Sequence, residues 1–169
     1  MTDRPWLRYF DEFEHTAFRL EVRDRYNEPE EQADFQRFLA GEPVRLDWRQ
    51  DWLTMIRNGV RAGKTFRRVR VVSEPLTDYS RFGVMFAGQS NAAGDDIRYL
   101  GRGEAEALGL PNHDYWLFDS HILVKLHFGD DDLLLDGEVV TDPKEIVDAN
   151  RWRDIAWHHA WLRETFVTQ

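Results

Sequence analysis

The chain has no cysteine among its 169 residues. Disulfide bonds and thiolate metal sites are therefore excluded. No apolar run approaches the roughly 20 residues of a membrane-spanning helix. The opening sequence MTDRPWLRYF also lacks the apolar core of a secretory signal. We therefore expect a cytoplasmic protein that has no membrane association.

Positive charge is also scarce, since 22 Lys and Arg residues stand against 31 Asp and Glu residues, for a formal net charge of −9 at pH 7. This balance disfavours a broad phosphate-contacting surface, so we do not expect direct nucleic-acid binding. The 42% hydrophobic and 14% aromatic content instead indicates a packed globule. We predict a single globular domain over residues 1–169, in which residues 1–46 form an N-terminal strand and helix extension packed on the rest.

The strongest strand signal is DYWLFDSHILVKLHF (114–128), which is followed by GDDD and a second apolar run, LLLDGEVV. We interpret these runs as the central strands of a sheet joined by a hairpin connection at 129–132, and Asp136-Gly137 is a candidate second turn. Alternating residues predict strands near 18–22 and 66–72. A helix over 76–94 would connect the second of these to a strand at 97–100 as a βαβ unit. We predict an α/β (α+β) fold with one mixed sheet covered by helices.

A long terminal helix is predicted from an N-cap at Thr141 to beyond Phe166, because apolar residues recur three and four positions apart. Trp157 and Trp161 are four residues apart and would share one face of this helix. Aromatic residues dominate interface energetics. We therefore predict that Trp157 and Trp161 contact a partner protein or a second copy of the chain.

A polar cleft is predicted where the strand ending near Val72 leads into the next helix, because ligands of open α/β sheets bind at the carboxyl ends of strands. The ligand would be anionic, with a phosphate or carboxylate group. The alternative is a purely structural ion-pair cluster, for example Glu74 with Arg81 or Arg98. The candidate ligand-binding residues are Arg70, Glu74, Tyr79, Arg81 and Arg98, with Asp119 across the sheet.

Catalytic and metal-binding signatures are weak throughout. GVRAGKT (59–65) is one residue short of a phosphate-binding loop and follows a predicted helix where a strand is required. His158 and His159 follow Asp154 on a predicted helix, but no H-E-x-x-H motif is present, so a packed histidine is favoured over a metal ligand. We predict no catalytic residue, no metal and no cofactor, and the balance is against an enzyme.

Four segments together resemble an uncharacterised actinobacterial family: RVRVVSEPLTDYSRF (68–82), DDIRYL (95–100), DYWLFDS (114–120) and WRDIAWHHA (152–160). The resemblance covers nearly the whole chain. Members of that family resemble proteins encoded beside helix-turn-helix regulators. The resemblance therefore implies a regulatory role with such a regulator as partner.

A second resemblance is to half of a phospholipase D-like domain, carried by VRVVSEP, IRYL and YWLFDSHILVKL with the helix and loop between them. Catalytic members carry His-x-Lys-x4-Asp on the corresponding strand. When Asp119 is aligned with the last residue of that motif, Asn112 and Asp114 take the positions of the His and the Lys. An amide is no nucleophile and a carboxylate repels phosphate. The resemblance thus implies a non-catalytic sensor or regulatory form.

Overall fold

Seven strands form one mixed β-sheet in the computed structural model of the chain, which describes residues 4–168. The sheet order is β6-β5-β4-β1-β2-β3-β7; β1, β2 and β3 are parallel to one another and the other pairs are antiparallel. The predicted α/β class with a mixed sheet is confirmed. The strands are β1 (Thr16–Glu21), β2 (Thr65–Val72), β3 (Asp95–Gly101), β4 (Asp114–Phe118), β5 (Ile122–Phe128), β6 (Leu134–Val140) and β7 (Trp161–Leu162).

Helices cover both faces of this sheet. Three short 3₁₀ segments, Pro5–Arg8, Pro29–Glu31 and Asp47–Arg49, precede α1, α2 and α3 respectively. The α-helices of the described residues are α1 (Tyr9–Glu12), α2 (Gln32–Leu39), α3 (Gln50–Arg61), α4 (Asp78–Ala93), α5 (Arg102–Ala107), α6 (Pro143–His159) and α7 (Arg163–Phe166). No helix within residues 4–168 is both long enough and apolar enough to span a membrane.

The two faces of the sheet differ in chemistry. The face under α5 and α6 has an apolar core that includes Leu20, Val69 and Leu117. The opposite face lies under the N-terminal segment, α2, α3 and α4. At the β4–β5 end this face is aromatic, with Trp116 and Phe118 in contact with the N-terminal segment. Its middle carries charged side chains, and that is where the candidate site lies.

The strand that opens the fold lies in the middle of the sheet. β1 pairs with β4 on one side and with β2 on the other. The prediction that residues 1–46 form an extension packed on the domain is therefore wrong for β1. The alternation that predicted a strand at 18–22 was correct, but a local pattern carries no information about a strand's place in the sheet.

The region 114–140 was predicted in part. The hairpin connection at 129–132 is confirmed, because it joins β5 to β6. The candidate turn at Asp136-Gly137 is wrong, since both residues lie inside β6. A further turn separates β4 from β5, where Asp119 (φ 51°) and Ser120 (φ 63°) have left-handed backbone. Neither residue is glycine, so the usual signal for such a turn was missing.

The C-terminal helix is shorter than predicted. Asp142 is its N-cap and accepts a hydrogen bond from the Lys144 backbone amide at 3.0 Å, which corrects the predicted cap at Thr141. The helix ends at His159, and the chain then turns extended to form β7, which pairs with β3. Trp157 and Trp161 consequently lie on different elements and do not share a helix face.

Candidate anion-binding site

Four charged side chains lie next to one another at the centre of the sheet. Arg19 and Glu21 come from β1, and Arg68 and Arg70 come from β2. The register pairs Arg19 with Arg68 and Glu21 with Arg70. Because alternate residues of a strand point to the same face, all four side chains project under α3 and α4. Charged side chains are unusual on a sheet face that helices cover, because charged residues are rarely buried unless they are paired.

Glu21 holds the two arginines of β2. It accepts hydrogen bonds from Arg68 Nη1 and, at 2.9 Å, from Arg70 Nε. Burial opposes the ionisation of this carboxyl, but Arg70, Arg68 and Arg19 outweigh burial and lower the pKa of Glu21 to about 2. Glu21 is therefore an anion shared between two cations.

Arg19 is held from the neighbouring strand. Its Nη2 donates to Asp114 Oδ2 at 2.8 Å, and Asp114 also accepts from the Val22 amide at 2.9 Å and the Tyr26 hydroxyl at 2.6 Å. Burial disfavours the cation, yet Asp114 and Glu21 together raise the pKa of Arg19 above its ordinary value. Asp114 is fully engaged within the protein and is not free to act as a catalytic group.

Arg49 is the exception in this cluster. Its side chain is buried, with the residue only 8% exposed, and lies 4.3 Å from the ring centre of Phe86. It donates to the Ser90 hydroxyl, and within residues 4–168 no carboxylate forms an ion pair with it. Burial, followed by the neighbouring cations Arg70 and Arg68, lowers the pKa of Arg49 to about 10.

The segment that presents Arg49 is fixed by a second buried carboxylate, Asp34 on α2. Asp34 accepts hydrogen bonds from the amides of Arg45 (3.0 Å) and Leu46 (2.7 Å) and from the Trp48 indole (3.0 Å). Burial opposes its ionisation, but these donors prevail and lower the pKa of Asp34 to about 2. The loop before α3 is thereby held in the conformation that places Trp48 and Arg49 against the sheet.

Two adjoining cavities meet at these arginines. The inner cavity, of about 170 Å³, lies under α4, where Gly83 leaves room for Arg70; the space that a side chain at position 83 would fill is 2.9 Å from Arg70 Nη1. The outer cavity has a volume of about 490 Å³ and is walled by tryptophans. Both cavities are lined by Arg19, Glu28, Arg49, Arg68 and Arg70. We call the two cavities together the arginine pocket.

Glu31 and Tyr79 form the floor of the inner cavity. The Tyr79 hydroxyl donates to Glu31 Oε1, and the Glu31 residue is only 3% exposed. Burial, reinforced by Glu28 and opposed by the Tyr79 hydroxyl, raises the pKa of Glu31 to about 7. Unlike Glu21, this carboxyl accepts no hydrogen bond from an arginine within residues 4–168, and its raised pKa lies near neutral pH.

The charges of the arginine pocket are only partly paired. Of four largely buried guanidinium groups, those of Arg19, Arg68 and Arg70 form ion pairs with Asp114, Glu21 and Asp95, whereas Arg49 forms none within residues 4–168. The Nε atoms of Arg19, Arg49 and Arg68 are buried and have no hydrogen-bond partner within the same residues. The carboxylates of Glu28, Glu30 and Glu31 also line the cavities, so the pocket is a concave region of mixed charge that contains one guanidinium group without an ion-pair partner.

The predicted cleft residues are distributed over three places. Arg70 and Tyr79 line the inner cavity of the arginine pocket. Glu74 and Arg81 line a separate groove between α4 and α7, where Arg81 donates to Asp78 and to the Leu76 carbonyl (2.9 Å). The predicted ion pair between Glu74 and either arginine does not form in the structure.

Arg98 and Asp119 lie outside the arginine pocket. Arg98 on β3 pairs with Val69 in the register and therefore points to the face opposite Arg70, where it forms an ion pair with Asp96 (3.1 Å) and lies 4.0 Å from the ring centre of Trp157. Asp119 accepts three hydrogen bonds, of 2.8, 2.7 and 2.9 Å, from the amides of residues 14–16. It stabilises the entry to β1. The phospholipase D-like resemblance stays a prediction.

Arg19, Glu21, Arg49 and Arg68 were missed from the sequence. In FRLEVR and FRRVRVV, charged residues alternate with apolar ones, which usually indicates a strand with one face in solvent. The structure instead covers this charged face with helices. The sequence did show opposite charges on two predicted strands, but it could not show that these two strands are neighbours in the sheet.

The fold and the pocket together define an α/β domain with an arginine-rich cavity. Residues 4–168 match the family model described as "Domain of unknown function (DUF6879)", and the chain belongs to that family. The prediction of an uncharacterised family is thereby confirmed. No curated protein matches the chain.

Proposed function

We propose that the protein is a ligand-binding domain that holds a small phosphorylated or carboxylated molecule in the arginine pocket. The observation that carries this proposal is Arg49, a buried guanidinium that contacts a cavity and has no carboxylate partner within the described residues. A buried unpaired charge is costly, and a bound anion would supply the missing partner.

The surrounding residues favour an anion over other ligands. Guanidinium groups bind phosphate and carboxylate through paired hydrogen bonds. Arg68 and Arg70 are fixed by Glu21, so their remaining donors are already oriented when the ligand arrives. Such preorganisation lowers the entropic cost of binding.

The size and the charge of the protein favour a small ligand over a polymer. The guanidinium group of Arg49, which has no ion-pair partner within the described residues, lies inside the pocket, whereas the chain as a whole is acidic. A nucleic acid would meet the acidic surface along its length and would be repelled. A single anionic group can enter the pocket without this penalty.

Sulfate, phosphate and small carboxylates are expected to raise the melting temperature of the protein. An anion at 100 times its Kd adds about 2.7 kcal/mol to the stability of the native state, which corresponds to a rise of roughly 5–10 °C for a chain of this size. Differential scanning fluorimetry at constant ionic strength, with sodium chloride as reference, measures this rise. Arg98→Ala is the control and should retain it, because Arg98 lies on the opposite face. A panel that leaves the melting temperature unchanged contradicts the proposal.

Binding of a fully ionised anion should weaken as pH rises through about 7, because Glu31 then becomes negative beside the ligand. The same group should make the free protein less stable as pH rises from about 4.5 to about 7. Over this range the Glu31 carboxyl keeps its proton in the folded protein but releases it in the unfolded chain, so the free energy of unfolding falls. Glu31→Gln should remove both effects and add up to about 3 kcal/mol at pH 8, with little change at pH 4.5.

Urea unfolding and sulfate titrations at pH 5, 6, 7 and 8 test this prediction, since sulfate keeps its charge over the range. The matched control is Glu42→Gln, at an exposed position outside the pocket. If the Glu31 and Glu42 variants show the same pH dependence as the unmodified protein, Glu31 does not titrate in this range.

A second candidate function is a regulatory role with a helix-turn-helix protein, as the family resemblance implies. One observation favours a protein contact: Trp161 and Leu162 on the edge strand β7 are 42% and 51% exposed. Edge strands readily pair with another chain.

Replacing Trp161 and Leu162 together by serine should weaken binding to a helix-turn-helix regulator encoded beside the gene at least tenfold, because exposed aromatic anchors dominate such contacts. Isothermal titration with the purified regulator measures the change. Val147→Ser, at an apolar position of α6 that is 65% exposed, is the control. Equal affinities for the double variant and the unmodified protein remove β7 as the contact.

A further inference from the structure

The outer cavity of the arginine pocket is lined by an unusual number of aromatic rings. Trp48, in the 3₁₀ segment before α3, and Trp52, in the first turn of α3, are four residues apart and only partly buried, whereas Trp116 on β4 forms the deeper wall. The rings of Trp52 and Trp116 are 6.1 Å apart and inclined at 57°. Phe10 packs edge-on against both of these rings, at 5.5 and 4.8 Å.

The aromatic walls and the arginines lie within reach of one ligand. The Arg68 guanidinium is 5.8 Å from the ring centre of Trp52 and 5.3 Å from that of Trp116. Arg49 lies 5.4 Å from the ring centre of Trp48. Each arginine therefore forms the boundary between an aromatic surface and the inner cavity. A ligand that used both features would carry a flat ring and an anion a few bonds apart.

A buried carboxylate adds hydrogen-bonding specificity to the aromatic chamber. Asp95 is 3% exposed and lines the outer cavity. Its side chain accepts one hydrogen bond within the described residues, a long one of 3.4 Å from Arg68 Nη2. An ionised carboxylate can accept about four. Asp95 thus retains acceptor capacity toward N–H groups on the edge of a ring.

From these features we propose that the ligand class is a planar, nitrogen-bearing ring joined to an anionic group, as in a nucleoside monophosphate. The ring occupies the outer cavity between the tryptophans and directs an N–H group to Asp95, while the anion binds Arg49 at the junction of the two cavities. This inference rests on the proposed anion-binding function and names the class of molecule for the same pocket.

The dimensions of the pocket agree with this class. The outer and inner cavities, of about 490 and 170 Å³, fall together within the range of roughly 300–1,000 Å³ that is usual for small-molecule sites. Stacking on tryptophan tolerates any base, whereas Asp95 selects rings with a donor on the edge. Guanine, adenine and cytosine carry such donors as amino groups, whereas uracil has a single N–H between two carbonyl oxygens, which a carboxylate repels.

The test compares GMP, AMP and CMP with ribose 5-phosphate, inorganic sulfate and the unphosphorylated nucleosides, with intrinsic tryptophan fluorescence and isothermal titration as readouts. At least one nucleotide is expected to bind ten or more times tighter than ribose 5-phosphate and to quench the fluorescence, because stacking of the base on Trp48 or Trp52 adds to the phosphate contact. The matching nucleoside should bind at least tenfold more weakly than its nucleotide, because it lacks the anion.

Two variants connect the result to the structure. Trp52→Leu should weaken nucleotide binding at least fivefold and leave sulfate binding within twofold of the unmodified protein. Trp48→Leu provides a second version of the same test if Trp52→Leu does not fold, as judged by circular dichroism. Asp95→Asn should reduce the preference for the bound nucleotide over UMP.

The outcomes separate the two proposals. If sulfate and ribose 5-phosphate bind but no nucleotide binds more tightly, the ring-binding inference is overturned and the anion-binding function stands. If nothing in the panel binds, both are overturned. Tight nucleotide binding that survives the substitution of both tryptophans also overturns the placement of the ring.

Discussion

Glu21→Gln is expected to lower the free energy of unfolding by about 3–5 kcal/mol at neutral pH, the effect of removing one partner from a buried ion pair. Glu21 holds Arg68 and Arg70 together, and the residue is 8% exposed. Glutamine preserves the shape and one acceptor but removes the charge. Two adjacent guanidinium groups would then repel each other at the centre of the sheet, where water cannot screen them.

The pH dependence gives a second readout of the same interaction. The native pKa of Glu21 is about 2, below its ordinary value of 4.5, so its contribution to stability is complete above pH 4.5 and is lost as pH falls toward 2. Urea unfolding between pH 7 and pH 3 should show a smaller acid-induced loss in the variant. Glu14→Gln, at an exposed position before β1, is the control and should change stability by less than about 0.5 kcal/mol. Equal stabilities for the two variants would mean that solvent, and not Glu21, compensates the two arginines.

The elements of this fold could be predicted from local patterns, whereas the site could not. Val69 and Val71 alternate with polar residues and mark β2 correctly, and the helix between β2 and β3 follows from its apolar spacing. Both signals are properties of neighbouring residues. The pairing of β1 with β2 brings together residues that are 49 positions apart, such as Arg19 and Arg68, and no local pattern encodes it.

The end of α6 shows the same limit in another form. Apolar spacing continues past His159, so a helix was predicted to include Trp161 and Phe166. The structure instead uses Trp161 and Leu162 to extend the sheet beside β3. Phe166 then packs on Tyr99 with ring centres 5.3 Å apart. Strand pairing outweighed helical periodicity because the outer edge of β3 has backbone groups that hydrogen-bond to β7.

The arginine pocket is expected to lower the stability of the fold that contains it. The sheet face under α3 and α4 carries largely buried arginines, and no carboxylate forms an ion pair with Arg49 within the described residues. Replacing buried charges by apolar residues of similar volume is often stabilising. Retention of such groups in a cavity is typical of binding sites, where stability is traded for function.

Arg49→Met is therefore expected to change stability and binding in opposite directions. Without ligand, the free energy of unfolding of the variant should be about 1–3 kcal/mol higher than that of the unmodified protein, because burial and neighbouring cations disfavour the Arg49 cation and lower its pKa to about 10. Methionine keeps the contact with Phe86, and the lost hydrogen bond to Ser90 offsets only part of the gain. Sulfate affinity should fall at least 30-fold, since a buried guanidinium that meets its anion is worth several kcal/mol.

Arg57→Met, on the helix α3 that follows Arg49, is the matched control, because Arg57 is exposed and its replacement should leave both quantities unchanged. Urea unfolding of the ligand-free proteins and isothermal titration with sulfate measure the two effects independently. A variant that loses stability and still binds sulfate normally would make Arg49 a structural residue and remove the main support for the pocket. A variant that gains stability and loses sulfate binding would establish that Arg49 is kept buried for the ligand, because the fold alone is more stable without it.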